Sequence, residues 1–262
     1  MTASAAISPA ARLAELIRAA DSVVALTGAG ISVPSGIPDF RSPGTGLWEK
    51  VNPMEVAHID VFRRDPERFW SFYGERFQTL DDKRPNRAHG ALAALEQAGL
   101  LDAVITQNID CLHAQAGTRE LIEIHGSIAH SSCLGCGAGY PLPEVRARQE
   151  ADDRRVPRCD CGEPLKPSVV LFGEYLPVDA LARAEELAAG ADLMLCVGSS
   201  LEVYPVAQLP FVTLAAGGEI AILTQGPTPV DRRATVRMDG DIVDELDAVL
   251  GALGLTAPAF SH

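Results

Sequence analysis

The run Thr106-Gln107-Asn108-Ile109-Asp110-Cys111-Leu112-His113, followed shortly by His125-Gly126, gathers two side-chain amides, a carboxylate and two imidazoles. Just ahead of it, Ala103 to Thr106 reads as a buried strand. A strand end carrying Gln, Asn and Asp is ill suited to a core. It is well suited to holding a polar ligand at the carboxyl edge of a parallel sheet. Side-chain amides can grip a carboxamide and ribose hydroxyls. An imidazole titrating near neutrality can take a proton from such a hydroxyl. Spacing alone leaves His113 and His125 as rival bases, while His58, His89 and His262 read as structural.

A second constellation lies upstream. Gly28-Ala29-Gly30-Ile31-Ser32 leaves the apolar strand Val23 to Thr27, where small residues let a diphosphate approach the backbone amides. Val33 stands where a dinucleotide fingerprint has its third glycine, so the turn alone is equally a plain tight turn. Its continuation, Ser35 to Arg41, adds a carboxylate (Asp39), an aromatic (Phe40) and a guanidinium (Arg41) on one constrained loop. Arg41 suits a phosphate and Phe40 suits shielding a reactive sugar carbon from water. The bland reading is an ordered loop with a surface Asp–Arg pair.

Four of the six cysteines form two close pairs, Cys133-x2-Cys136 and Cys159-x-Cys161, each beside glycine. Four thiolates complete a tetrahedral zinc site and leave no open position, so the metal expected here is structural. The second pair is one residue tighter than usual, free or redox thiols are the alternative, and His130 lies near enough to compete as a ligand.

The elements that must position these groups alternate. Helical patterns over Ala10–Ala20, Pro53–Leu80, Asn86–Gln97, Val178–Ala189, Pro205–Ala216 and Ile242–Leu253 interleave with short apolar strands. The strands are Val23–Thr27, Ala103–Thr106, Leu121–Ile124, Leu193–Val197, Glu219–Leu223 and Ala234–Met238. That order predicts an α/β fold with a parallel sheet covered by helices on both faces. Between 129 and 167 the periodicity disappears, which predicts an independent insert.

With 262 residues, 47% hydrophobic and 5% aromatic, the chain can build a large aliphatic core. Net charge is −13, so a basic footprint for nucleic acid or an anionic membrane is missing. No stretch approaches the ~20 apolar residues of a membrane span, and Met1 to Ala10 lacks a secretory pattern. The cytoplasm is the expected compartment, consistent with cysteines paired for metal.

Taken in order, the glycine turn, Ser35 to Arg41, Thr106 to His113, His125-Gly126, the cysteine pairs and Phe172-Gly173-Glu174 resemble a sirtuin of bacterial type. The resemblance spans about residues 20–246. It implies a Rossmann-like NAD-binding domain over 8–40, 86–128 and 168–256. A helical module (41–85) and a zinc-ribbon insert (129–167) would form a small domain. It further implies NAD contacts from Gly28, Ala29, Gly30, Asp39, Phe40 and Arg41, from Gln107 on ribose, and from Asn108 and Asp110 at the nicotinamide end. Gly198, Ser199 and Ser200 would meet the adenosine half, with Asp241 and Ile242 as candidates near adenine. Thr224 stands where the family usually has the Asn that holds adenosine ribose; Gln225 is placed to compensate.

By the same resemblance His125 is the general base, Asn108 shares the catalytic centre, and zinc sits on Cys133, Cys136, Cys159 and Cys161. Val170, Phe172, Gly173 and Glu174, with Val203 in the segment Leu201–Tyr204, would sandwich an acyl-lysine peptide as an added strand. The implied activity is NAD-dependent removal of lysine acyl groups, giving nicotinamide and O-acyl-ADP-ribose. Tyr73 and Arg76, three apart on one helix face, match the Tyr-x-x-Arg of sirtuins that remove acidic acyl groups, although Asp39 is the ordinary deacetylase form. The rival functions are protein ADP-ribosyl transfer from the same NAD site, a non-catalytic NAD-binding or DNA-associated regulatory module, and ordinary hydride transfer.

Overall fold

The computed structural model describes residues 7–39 and 52–260. Helix α1 (Pro9–Ala19) starts where the Ser8 hydroxyl accepts the Ala11 N–H and proline takes the first turn. Strand β1 (Val23–Thr27) is buried throughout, and the chain leaves it in a 3-10 turn over Ala29–Ser35. The single helical pattern expected over 53–80 is divided into α2 (Pro53–Val56), α3 (Ile59–Arg64) and α4 (Pro66–Asp81). The division falls at His58, which caps α3, and at Pro66, which lacks an N–H and turns Asp65 out of the helix.

Next come α5 (Arg87–Gln97), β2 (Ala103–Thr106), α6 (Leu112–Gln115) and β3 (Leu121–Glu123). The stretch that showed no periodicity holds β4 (Gly126–Cys133), β5 (Gly139–Pro141), α7 (Leu142–Ala151) and β6 (Leu165–Val169). Its helix was hidden because the stripe that α7 buries is Leu142, Val145 and Gln149, whose third member is polar. The remainder is α8 (Val178–Gly190), β7 (Leu193–Val197), α9 (Leu209–Ala215), β8 (Glu219–Leu223), β9 (Val236–Met238) and α10 (Ile242–Leu253). The pattern over 205–216 becomes a 3-10 turn (Val206–Gln208) and then α9, with Pro210, which has no N–H, in the first turn of the helix.

Six parallel strands lie in the order β3-β2-β1-β7-β8-β9. Alternate residues of each strand serve opposite faces. Val23, Ala25, Leu193 and Leu195 pack under α1, α5 and α10, whereas Val24, Leu26, Met194 and Cys196 pack against α8 and α9. A separate antiparallel sheet, β5-β4-β6, carries its own core with α3, α4 and α7. Phe62, Phe69, Trp70 and Phe77 fill that core, and the Trp70 indole donates to the Leu165 carbonyl at 3.0 Å. Strand β4 begins directly after His125 and ends at Cys133, so one strand joins the two sheets' working ends. Among the described residues, no helix is long and apolar enough to cross a membrane.

Candidate active site

Chain connections diverge between β1 and β7, the point at which an open α/β sheet leaves a crevice beyond its strand ends. Gly28 N–H donates to Val197 O (3.0 Å) and Gly30 N–H to Gly198 O (2.8 Å), locking the two turns together. A Cβ on Gly30 would stand 2.8 Å from Gly198 Cα, and Gly198 itself holds φ 63°, so bulk is excluded from both sides. A cavity of about 1200 Å³ opens there. Gly28, Ala29, Gly30 and Asp39 line one wall, Gly198, Ser199 and Ser200 another, with Thr224 and Gln225 beyond. Phe40 and Arg41 lie outside the described residues.

At the end of β2 the amides have defined polarity. Gln107 Nε2 donates to Ser199 Oγ (2.9 Å) and Thr27 O (3.3 Å). Asn108 Nδ2 donates to Gly28 O and to Ser32 Oγ, both at 3.1 Å. Both amide hydrogens are therefore committed, and Oδ1 is the Asn108 atom left to serve a ligand. Asp110 accepts the Ser32 hydroxyl at 2.7 Å and the Leu112 N–H at 3.0 Å. Burial raises its pKa, opposed by those bonds.

The two candidate imidazoles now separate. His125 lines the cavity, and its Nδ1 lies 3.0 Å from Gln107 O. A carbonyl only accepts, so Nδ1 carries the proton and Nε2 is the basic nitrogen. Burial lowers the His125 pKa, with the Gln107 bond acting in the opposite sense. His113 is sealed beneath the sheet end, its Nε2 3.0 Å from the Thr27 hydroxyl. That hydroxyl donates to Thr106 Oγ1, which makes His113 Nε2 the donor and leaves Nδ1 without a partner among the described residues. Burial drives the His113 pKa down to about 4.

His89, His113 and His125 thus all fold neutral, with burial depressing their pKa values below the ordinary 6.5. The unfolded chain binds more protons below that value. Their stabilisation is present above pH 6.5 and is lost as pH falls, with His113 protonating in the folded state near 4. A shift of that size corresponds to about 3 kcal/mol for His113 alone. Urea midpoints should therefore fall between pH 7 and pH 4.5, and replacing His113 with glutamine should flatten that slope. An unchanged slope would refute the assignment.

Facing the sheet end are the segments 170–174 and 202–204, which line the cavity. Val170 N–H donates to His125 O at 2.8 Å, and Phe172 exchanges backbone bonds with Ala57 O (2.9 Å) and Ile59 N (3.0 Å). Gly126, at φ 73°, would push a Cβ to 2.0 Å from Ser168 O, so β4 and β6 close tightly beside His125 only because glycine is there. Glu174 is held by a buried lysine: Lys166 Nζ reaches Glu174 Oε2 at 2.9 Å and the Val169 and Pro167 carbonyls at 2.8 and 3.2 Å. Val203 and Tyr204 form the opposing side of the cavity. Tyr73 stacks between Phe69 and Phe77 at 4.8 and 5.1 Å and meets the cavity together with Arg76. Burial pushes the Tyr73 phenol up to about 12, against the pull of Arg76, so the pair is a neutral hydroxyl beside a cation.

The ligand atoms of Cys133, Cys136, Cys159 and Cys161 all lie within 4.8 Å of one another. Their sulfurs pair at 3.5 Å as Cys133–Cys161 and Cys136–Cys159, and none is in a disulfide. The Cys161 backbone N–H, then the Tyr140 hydroxyl at 3.2 Å, pull the Cys159 thiol down to about 6. Arg148 stacks over Tyr140 at 4.3 Å and pairs with Asp160 at 2.8 Å, which holds that hydroxyl in place. Four thiols converging at two glycine-bordered turns fit a tetrahedral zinc ion.

A family model described as Sir2 family matches residues 28–205. The chain belongs to the Sir2 family. A Sir2 relative from Sulfolobus acidocaldarius, an NAD-dependent protein deacetylase, is 48% identical over 228 residues, 87% of this chain and 88% of its own length. One of the same description from Thermotoga maritima is 43% identical over 243 residues, 92% and 97% of the two chains. The solved structure of Sir2 with a p53 peptide and NAD+ has a TM-score of 0.85 at 41% identity, covering 93% of this chain and 98% of that one. Sir2 bound to an acetylated peptide gives 0.86 at 41%, covering 94% and 98%.

Within this Sir2 chain, most residues singled out from the sequence meet at one cavity. Asp241 and Ile242 do not line it: the Asp241 carboxylate caps α10 by accepting from Val243 and Asp244, and Ile242 packs on the core. Two further residues have clear positions at the site. Ser32 follows the glycine turn, where a hydroxyl is a usable sequence signal, and bonds Asn108 and Asp110. Lys166 sits between Leu165 and Pro167 in a buried strand; an isolated lysine there implies a buried partner.

Proposed function

We propose that this Sir2-family chain removes acyl groups from protein lysine side chains, consuming NAD and yielding nicotinamide and O-acyl-ADP-ribose. The observation that carries the proposal is the His125 imidazole, whose proton is pinned on Gln107 O while Asn108 presents Oδ1 to the same cavity. NAD, when bound, supplies an electrophilic ribose carbon and a leaving nicotinamide. The glycine turn and Ser199–Ser200 suit its phosphates and adenosine half, with Thr224 and Gln225 near the far ribose. Gln107 orients ribose hydroxyls, and Asn108 and Asp110 meet the nicotinamide end, where Asp110 accepts carboxamide N–H. His125 Nε2 takes a hydroxyl proton, for which an imidazole of lowered pKa is unprotonated at neutral pH. Residues 170–174 and 201–204 offer backbone to an acyl-lysine peptide as two flanking strands. Cys133, Cys136, Cys159 and Cys161 would hold a structural zinc that supplies no chemistry to the reaction.

Acyl-lysine protein or peptide is the partner, without nucleic acid, and the cytoplasm the compartment; the charge of −13 supports the former. The test is incubation with NAD and an acetyl-lysine peptide, with mass spectrometry of both products. Free lysine with acyl-ADP-ribose is expected. An ADP-ribosylated acceptor with the acyl group retained would replace this reading by ADP-ribosyl transfer.

A second reading concerns the acyl group. Arg76 reaches the cavity beside the Tyr73 phenol while its guanidinium lies 5.2 Å from the Phe72 ring centroid. A fork of N–H donors with a neutral hydroxyl suits a succinyl carboxylate. Arg76→Ala should lower kcat/KM for a succinyl-lysine peptide at least tenfold, about the worth of one charge-assisted bond, and change deacetylation less than twofold. Equal losses on both peptides would discard the acidic pocket.

A further inference from the structure

One buried group outside the cavity is wired to it. His89, on the first turn of α5, is fully buried and does not line the cavity. Its Nδ1 lies 3.4 Å from the Asn86 backbone N–H, and its Nε2 lies 3.4 Å from Ser32 Oγ. A backbone N–H only donates, so Nδ1 must accept and the single proton of the neutral ring sits on Nε2. That proton points to Ser32. The Ser32 oxygen then accepts from His89 and from Asn108 Nδ2, and its own hydrogen has Asp110 as its partner at 2.7 Å. Every hydrogen-bonding capacity of this hydroxyl is filled by protein.

The helix end also clamps the turn that bears Ser32. Asn86 Nδ2 donates to Ile31 O at 2.8 Å and to Ser35 Oγ at 2.9 Å, on either side of it. His113 meets the His89 ring edge at 4.9 Å and closes the remaining side. Ser32 is thus a relay, and its direction is decided by the tautomer of His89.

We propose that His89 is a positioning residue for the NAD-cleaving step: as an Nε2–H donor it directs the Ser32 hydroxyl to Asp110 and so holds that carboxylate for the ligand. The inference rests on the NAD-dependent deacylase reading. With Nε2 unprotonated, Ser32 would turn its hydrogen to the imidazole and Asp110 would lose its side-chain donor, keeping the Leu112 N–H, while Asn108 Nδ2 would still meet the Ser32 oxygen and Gly28 O. The Asn86 N–H on Nδ1 prevents that state.

The test uses the full chain, NAD and an acetyl-lysine peptide, with nicotinamide exchange into NAD reading the first step and thermal unfolding reading integrity. His89→Leu keeps bulk and removes the donor. It should slow exchange and kcat roughly tenfold, the upper range for one hydrogen bond, with KM for the peptide changed less than twofold. His89→Gln, which retains an Nε donor, should recover most of that loss. In a Ser32→Ala background, His89→Leu should have no further effect on exchange. Equal impairment of the Leu and Gln variants, losses that multiply in the double variant, or wild-type exchange in His89→Leu would each overturn the proposal. Wild-type protein that releases no nicotinamide from NAD would instead remove the deacylase reading beneath it.

Discussion

Replacing His125 with alanine should lower steady-state turnover of NAD and acetyl-lysine peptide by ~10²–10⁴-fold, the range for loss of a positioned general base. Affinity for NAD should change little, because the glycine turns at the ends of β1 and β7 and the Gln107–Ser199 pair form without the imidazole. His125→Asn is the sharper variant. Its amide can still donate to Gln107 O and so preserve the local backbone, but it has no basic nitrogen, so turnover should fall as far as in the alanine form. The pH profile follows from the same geometry. Burial holds the folded pKa of His125 below 6.5, so kcat/KM, which reports the free enzyme, should rise with pH along an acid limb centred below 6.5 and be level at neutrality. Wild-type turnover in either variant would remove His125 from the chemistry.

Stripping zinc should be the most damaging single treatment of the fold. Structural zinc sites contribute on the order of 10 kcal/mol or more of folding free energy, and the β5-β4-β6 sheet is short and ends at the cysteine turns. Chelation or Cys159→Ser should release about one zinc per chain, lower Tm by more than 10 °C, and abolish turnover. The loss of activity would be indirect. Strand β4 links Cys133 to the residue after His125, and β6 leads into Val170, whose N–H holds the His125 carbonyl. A metal-free protein with unaltered melting and turnover would show that the four thiols are not a structural zinc site. Restoration by zinc but not by magnesium should follow from the thiolate donor set.

Much of the large sheet was legible in the chain because its signal is local. A strand buried on both faces reads as an uninterrupted apolar run, as Val23–Thr27 and Leu193–Val197 do, and the helices between them carry a clear stripe. The small sheet was not legible. Its core is built from side chains far apart in sequence, Phe69 and Trp70 against Tyr140 and Leu165, and α7 buries a glutamine where periodicity demands an apolar residue. Pro66 and Pro210 divide helical patterns that looked continuous, because proline has no N–H to give the hydrogen-bond ladder and restricts the residue before it.

By itself, the sequence determined which chemistry was available: amides, a carboxylate and imidazoles after a buried strand, a small-residue turn after another, and four thiols in two pairs. Those follow from residue type and spacing. Residue type and spacing left His113 and His125 as rivals and the family resemblance pointed to His125; the tertiary structure supplies the physical reason, since the two differ in burial and in bonding partner. It alone also fixed the polarity of Asn108, withdrew Asp241 from the cavity, and joined Lys166 to Glu174. The physical reason is common to all of these. A hydrogen bond is directional and is made across elements remote in the chain, so the donor and acceptor roles at the site exist only once the strand ends have been brought together.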